Sequence, residues 1–300
     1  MQNEAVDNGM RSVRCLELYC GIGGFAVAAS QRGWSVAKAI DINQYAAAVY
    51  RCNFDHPHEI RTIESIPDSD LKRVNADIWW MSPPCQPYTQ RGAKRDLNDS
   101  RMESFLHLLD VIPDVRPPML AMENVPQFST SRAADRLRSV LETCDYRWIE
   151  FDLCPTELGI PNRRRRFYLT AALDHNTLSR PESVRQTRQL SGYLEPMREE
   201  LLVGETQKRY AEGFHCVTQD SSTTACFTSA YGKSPVHAGS YLQDESQLRH
   251  FSPREILSLL GFPTRFQMPA NLSLRTQWKL VGNSLSIPAV AHVLRAFGER

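Results

Sequence analysis

Val13 to Tyr19 is a short apolar run that passes directly into Cys20-Gly21-Ile22-Gly23-Gly24, after which comes the helix-prone segment Phe25 to Gln31, closed by Gly33. Strand, glycine turn and helix in that order restrict the chain to few architectures, because such a turn lets a ligand approach backbone N–H groups at a helix N-terminus. A second strand, Ser35 to Ile40, ends in Asp41. That carboxylate stands about twenty residues beyond the first glycine, where doubly wound folds place an acid for ribose hydroxyls. Asp41 is equally suited to cap a helix starting near Gln44. The turn is not the dinucleotide G-x-G-x-x-G, since Phe25 and Ala26 follow the third glycine.

A second unusual stretch is Ala76 to Thr89, A-D-I-W-W-M-S-P-P-C-Q-P-Y-T. Ile78 to Met81 is too short for a helix and stops at Pro83-Pro84, so it reads as a buried strand that delivers Cys85 into a loop. Proline fixes its own φ and extends the residue before it, so the thiol sits on stiff backbone. Taken alone, Cys85 is either a nucleophile or one more inert core cysteine.

Strand-like and helical patches alternate through the first half, which predicts an α/β sheet with helices on both faces. Ser104 to Val115 has the spacing of an amphipathic helix that buries Phe105, Leu108, Leu109 and Ile112; the strand Met119 to Met122 then leads into Glu123-Asn124-Val125-Pro126. An acid at the end of a buried strand belongs either to a ligand site or to a structural pair with an arginine. Arg132 to Cys144 reads as a helix, and Arg147 to Leu153 and Phe167 to Ala172 as strands. Before the last of these runs Arg163 to Arg166; extended alternation puts Arg164 and Arg166 on one face and Arg163 and Arg165 on the other. Residues 174–250 are polar and irregular, which suggests a second, smaller domain between a main domain at 13–173 and a return at 251–300, with 1–12 as a polar tail. In the return, Ser252-Pro253 starts a helix that stops at Gly261, and Gly282-Asn283-Ser284 precedes an apolar helix, Ile287 to Phe297.

With 42% apolar residues, 300 positions suffice for a sizeable core. No stretch reads as a membrane span and the opening is not a secretion signal, so a soluble, cytoplasmic protein is expected. Eight cysteines without C-x-x-C pairs predict neither structural zinc nor a disulfide framework. The net charge of +1 does not announce a nucleic-acid partner.

Taken together, these pieces resemble the cytosine C5 methyltransferase family from Val13 nearly to the end. L-E-L-Y-C-G-I-G-G at Leu16 to Gly24 is similar to its S-adenosylmethionine loop, A-I-D-I at Ala39 to Ile42 to its ribose-binding strand end, and A-D-I at Ala76 to Ile78 to its adenine-contacting segment. P-P-C-Q at Pro83 to Gln86 resembles the nucleophile motif, E-N-V at Glu123 to Val125 the base-binding motif, and G-N-S at Gly282 to Ser284 the last cofactor motif. N-R-R-R-R at Asn162 to Arg166 resembles Q-x-R-x-R, with asparagine in place of glutamine. The resemblance implies a Rossmann-like sheet with a small target-recognition domain. It also implies a cofactor site of Tyr19, Gly21, Ile22, Gly23, Gly24, Asp41, Ile42, Asp77, Ile78, Pro84, Asn283 and Ser284.

Within the family the closest likeness is to the branch that methylates transfer RNA in its anticodon loop. It is carried by S-R-M-E-S-F-L-H-L-L-D at Ser100 to Asp110, by A-C-F-T-S-A-Y-G at Ala225 to Gly232 with G-S-Y-L-Q after it, and by L-E-L-Y in the first strand. By that resemblance Cys85 adds to carbon 6 of cytosine, Glu123 serves ring nitrogen 3 and the amino group, Arg166 holds O2, and Arg164 braces the loop or a phosphate. Carbon 5 then takes the methyl group, its proton leaves, and the thiol is expelled. An arginine field is expected to help the thiol ionise. Further substrate contacts would be Gln86, Asn124, Val125, Cys226, Phe227 and Thr228, with Arg91, Lys94, Arg95 and Arg101 as phosphate contacts or ordinary surface charge. The expected partner is tRNA, that for aspartate in the family's usual case, bound by a monomer without metal. DNA methylation is the rival substrate. An NAD-dependent oxidoreductase would explain the glycine turn but neither Pro83-Pro84-Cys85-Gln86 nor Glu123-Asn124-Val125.

Overall fold

In the computed structural model, residues 12–85, 102–174, 178–182, 188–244 and 247–298 are described. The first half alternates as expected: β1 (Arg14–Leu18), α1 (Gly24–Gln31), β2 (Ser35–Asp41), α2 (Gln44–Arg51), β3 (His58–Ile60), α3 (Asp68–Arg73), β4 (Ile78–Met81), α4 (Glu103–Val115), β5 (Met119–Asn124), α5 (Arg132–Thr143), β6 (Arg147–Leu153) and β7 (Arg166–Ala172). These strands form one seven-stranded sheet in the order β3-β2-β1-β4-β5-β7-β6. β1 to β5 are parallel, and β7 runs antiparallel between β5 and β6.

Both faces of the central strands are covered, which is why β4 reads as an unbroken apolar run and not as an alternation. Ile78 and Trp80 join the core under α1, with Phe25 stacked on Trp80 at 4.9 Å, while Trp79 and Met81 join the opposite core against α4 and α5. Local chemistry sets the helix ends. Asn43 accepts the N–H groups of Tyr45 and Ala46 to start α2, and Ser131 accepts that of Ala134 to start α5.

Beyond β7 come the short helix α6 (Glu205–Lys208) and a three-stranded sheet of β8 (His215–Val217), β9 (Ser240–Asp244) and β10 (Gln247–His250), in the order β10-β9-β8. α7 (Pro253–Leu260) begins with a reciprocal Ser252–Glu255 capping box and stops at Gly261; α8 (Leu274–Gly282) and α9 (Ile287–Leu294) follow. Leu201, Val217, Phe227, Tyr231 and Leu242 of the polar stretch share one core with α1, α7 and α9. Buried Arg249 and Glu255, 2.8 Å apart, tie β10 to α7. One stretch, Leu274–Phe297, does have the length and apolarity of a membrane span. It is broken between α8 and α9 and lies mostly inside the fold, so its apolarity is that of a core element.

Candidate active site

The chain leaves β1 toward β2 on one side and reaches β4 on the other, so the sheet reverses its order of travel between β1 and β4. Ligands of such sheets collect in the crevice at the carboxyl ends of the strands on either side of that point. The glycine turn follows β1 and the Cys85 loop follows β4, so topology alone makes them neighbours.

On the cofactor side, Tyr19 takes a left-handed φ of 58° and donates its hydroxyl to Ser104 Oγ at 3.0 Å. Gly21 N–H donates to Asp41 at 2.8 Å, and the other oxygen of Asp41 accepts the Asn43 N–H at 2.7 Å. The helix cap is therefore Asn43 and not Asp41, whose carboxylate clasps the turns after β1 and β2 together. Ile42 stands 63% exposed beside it, an apolar side chain open for a ring to cover. Ile22 is buried in the core, which leaves only its backbone to a ligand. A Cβ on Gly24 would come within 2.9 Å of Leu285 Cβ and 3.4 Å of Ser284 Oγ, so only glycine lets the turn seat against the G-N-S segment. Ser284 Oγ is buried without a hydrogen-bond partner, and Asn283 beside it is exposed. An orphaned hydroxyl, an exposed amide and an uncovered isoleucine around a glycine cradle suit a polar, nucleoside-bearing ligand.

Asp77 and Ile78 do not belong to this site. They stand at the amino end of β4, where Asp77 accepts the Arg14 N–H at 2.7 Å and Ile78 is fully buried. In a parallel sheet that end lies across the molecule from the glycine turn. Glu64, in the turn after β3, replaces them on the correct edge: together with Asp41 it acts electrostatically on Tyr19. β3 is only three residues long, and nothing in its sequence marks the acid that follows it.

On the reactive side, Glu123 is the next-to-last residue of β5, and antiparallel pairing sets it opposite Tyr168 and Asn124 opposite Phe167. Arg166 opens β7 and thus arrives beside the carboxylate, Nε to Oε1 3.0 Å. The predicted alternation holds: Arg164 is buried and Arg163 and Arg165 are exposed, Arg165 pairing with Asp152 and Glu157. Arg164 donates to the carbonyls of Phe227 (3.0 Å), Gly282 (3.2 Å) and Ser284 (2.5 Å). It is a brace between the C-F-T segment and the G-N-S turn, with its donors turned inward, not toward a phosphate. Asn162, the departure from the family's glutamine, is buried and donates to Thr224 Oγ1 at 3.0 Å and the Ala225 carbonyl at 3.3 Å, fastening the same segment.

Three expected substrate contacts are internal supports. Asn124 is buried, donates to the Pro83 carbonyl at 3.3 Å and accepts the Val125 N–H, so it holds the start of the Cys85 loop to β5. Phe227 packs against Tyr231 and Phe251 in the core. Thr228 is engaged with Ala230 and Ala238, its backbone pressed on α8. Val125 and Pro84 are half-buried at the rim; Gln86, Arg91, Lys94, Arg95 and Arg101 lie outside the described residues.

Burial pushes the Cys85 thiol up, and the Glu123 charge pushes it further, with Arg166 and Arg164 only partly opposing. The expected arginine help therefore does not prevail in the free protein. Burial likewise raises Glu123 against the pull of the same arginines. Burial also opposes ionisation of Cys226, yet Arg164 at 3.5 Å and Arg166 at 3.9 Å overcome it and hold that thiol below the usual cysteine range. One guanidinium pair thus serves two thiols and a carboxyl.

Comparison with known proteins agrees with this geometry. The chain matches the family described as C-5 cytosine-specific DNA methylase over residues 13–241 and 208–299. It is 30% identical to the tRNA (cytosine(38)-C(5))-methyltransferase of Homo sapiens, over 97% of this chain and all of that protein. It is 29% identical to a DNA (cytosine-5)-methyltransferase of Dictyostelium discoideum, over 95% of this chain and 94% of that one. The crystal structure of S. pombe Dnmt2 methyltransferase superposes with a TM-score of 0.85 at 32% identity, covering 94% of this chain and 97% of the other. With its Cys85 loop, acid–arginine pair and glycine cradle gathered at one sheet edge, this chain belongs to the C-5 cytosine methyltransferase family.

Proposed function

We propose that this protein methylates carbon 5 of a cytosine in the anticodon loop of a tRNA, that for aspartate being the first to test, with S-adenosylmethionine as donor. The observation that carries the reaction is the junction of β4, β5 and β7, where Cys85, Glu123 and Arg166 converge. The likeness to relatives named for cytosine 38 of tRNA, together with the C-F-T segment fastened by Asn162 and Arg164, favours RNA.

Carbon 5 of cytosine is a weak nucleophile until something adds to carbon 6. Cys85 supplies the sulfur, forming the S–C6 bond. Glu123, inclined by burial to hold a proton, gives it to ring nitrogen 3 and so removes the negative charge that addition would place on the ring. Arg166, fixed by its bond to Glu123, presents its remaining donors to O2. S-adenosylmethionine would supply the electrophilic methyl group when bound, and Tyr19, Gly21, Gly23, Gly24, Asp41, Ile42, Glu64, Asn283 and Ser284 would hold it. Loss of the carbon 5 proton to solvent, return of the nitrogen 3 proton to Glu123 and expulsion of Cys85 as thiolate restore the aromatic ring. An unpaired loop base enters such a site at lower cost than one stacked in a duplex. Residues 174–250 serve as the target-recognition region, and the molecule acts as a monomer in the cytoplasm.

The test is methyl transfer from labelled S-adenosylmethionine to total tRNA and, separately, to duplex DNA. Label in tRNA, abolished by Cys85→Ala while cofactor binding persists, is the expected result. Label in DNA alone overturns the substrate, and undiminished transfer by the variant overturns the nucleophile.

A further inference from the structure

The reaction leaves one buried acid without a role. Glu17 lies in the middle of β1, fully buried, opposite Ala39 of β2 and Trp80 of β4. Its carboxyl faces the backbone N–H groups of Phe25 and Ala26 in the first turn of α1, where Oε1 has no hydrogen-bond partner, and Oε2 accepts the Tyr50 hydroxyl at 2.5 Å. The same hydroxyl lies 2.7 Å from His56 Nε2. His56 is half-buried, so the three groups run from the molecule's edge to a point directly beneath the glycine turn. A carboxylate placed in a core without a cation costs several kcal/mol unless it is neutralised or richly hydrogen-bonded. The titratable groups around it are Cys15 and Cys20 in β1 and its turn, Asp41 at the end of β2 and Tyr50 on α2; across Tyr50 stand His56 and His58, with Arg51 beside His58.

We infer that Glu17, Tyr50 and His56 form a proton relay that sets the charge beneath the cofactor turn, which makes Glu17 a positioning residue for the first turn of α1. In the charged state Glu17 accepts the Tyr50 O–H, and Tyr50 accepts the Nε2–H of a His56 imidazolium. Passing the His56 proton to the Tyr50 oxygen and the Tyr50 proton to Glu17 breaks two bonds to hydrogen and forms two. What remains is a carboxylic acid, an intact phenol whose O–H now points at Nε2, and a neutral imidazole protonated on Nδ1; one charge of each sign has gone. Burial pushes Glu17 up to about 8 and holds His56 below its ordinary value, so the neutral state prevails near pH 7. Above that range the Glu17 proton leaves through Tyr50 and His56 to solvent, and the carboxylate, whose Oε1 has no hydrogen-bond partner, attracts the N–H groups at the start of α1, fixing the turn that seats the cofactor. The inference deepens the cofactor-binding part of the proposed reading, and its first test is independent of that reading.

That first test is the infrared carboxylic C=O band of the cofactor-free protein, taken as the difference between wild type and Glu17→Gln across pH 6 to 10. A band present at pH 7 and lost toward pH 9 is expected. Tyr50→Phe removes a donor to the carboxylate and moves the midpoint up, whereas His56→Phe removes the acceptor that stabilises the neutral chain and moves it down. A passive structural role predicts no such opposed shifts. Absence of the band at pH 7, or a midpoint unmoved in both variants, overturns the relay, and Tyr50→Phe carries the test should Glu17→Gln fail to fold. Calorimetric binding of S-adenosylhomocysteine reads the consequence: affinity rises with pH below the midpoint, by up to tenfold per unit, and is flat in Glu17→Gln. The same slope in that variant overturns the positioning role, while a wild type that binds no cofactor overturns the reading on which it rests.

Discussion

Cys85 and Glu123 share one pair of guanidiniums, and burial lifts both of them above their ordinary ranges. In the proposed mechanism the reactive form needs sulfur without its proton and carboxyl with it, while the thiol is the weaker acid of the two. The population of that form therefore grows with pH until Glu123 titrates, stays level until Cys85 titrates, and falls beyond. The kcat/KM of the wild type is expected to rise, level off at the Glu123 midpoint and decline above the thiol's. Glu123→Gln keeps a hydrogen-bonding group but has no proton to lose. Its kcat should drop about 10²–10³-fold, and its pH profile should keep rising about tenfold per unit up to the thiol midpoint. A rate–pH profile on tRNA for both proteins checks this, and an unchanged break in the variant would assign the acid limb to another group.

At the scale of elements, the site is held together by one close approach. α8 crosses the C-F-T segment so tightly that a Cβ on Gly282 would lie 2.3 Å from the carbonyl carbon and oxygen of Thr228, and Arg164 bonds to both sides of that contact. Backbone cannot step aside as a side-chain tip can. Gly282→Ala should therefore destabilise the fold by about 3 kcal/mol and weaken cofactor binding through Asn283 and Ser284, as thermal unfolding and calorimetry would show. The order and type of the elements were legible in the sequence because each is written by local chemistry: the turn after β1, the prolines after β4, the capping box of α7. The end of the sheet on which a motif falls is not local. Asp77 resembles an adenine contact in its neighbours, yet strand direction puts it at the wrong edge, and Glu64 is hidden after a strand too short to notice. Asn124 and Phe227 were misread for a related reason. Residue type says what a side chain is able to bind, but packing across β5 and α7 decides which way it faces.

For the molecule as a whole, a net charge of +1 conceals how the charge is distributed. A groove of about 400 Å³ runs between α8 and the loop that follows the C-F-T segment, lined by Ser229, Lys233, Arg275, Thr276 and Lys279 among others. The three cations are exposed, and none is ion-paired among the described residues. Arg275 and Lys279 are four apart on one helix, a like-charge spacing that costs a few tenths of a kcal/mol and is relieved by an anion lying across it. Ser229 is three residues from Cys226, at most roughly 10 Å along the chain, so in the proposed reading a strand with its base at Glu123 would have neighbouring phosphates within reach of the groove. Each phosphate contact releases counterions and adds about 0.7–0.9 to the slope of log affinity against log salt. Replacing Lys233, Arg275 and Lys279 together by Gln should lower that slope for tRNA by about 2, weaken binding at low salt more than at high salt, and leave S-adenosylhomocysteine affinity unchanged. Filter binding of tRNA from 50 to 300 mM salt, an interval set by roughly that dependence, measures the slope. A parallel downward displacement with the slope preserved would mean that the substitutions disturbed α8 itself, and would move the RNA backbone to another face of the molecule.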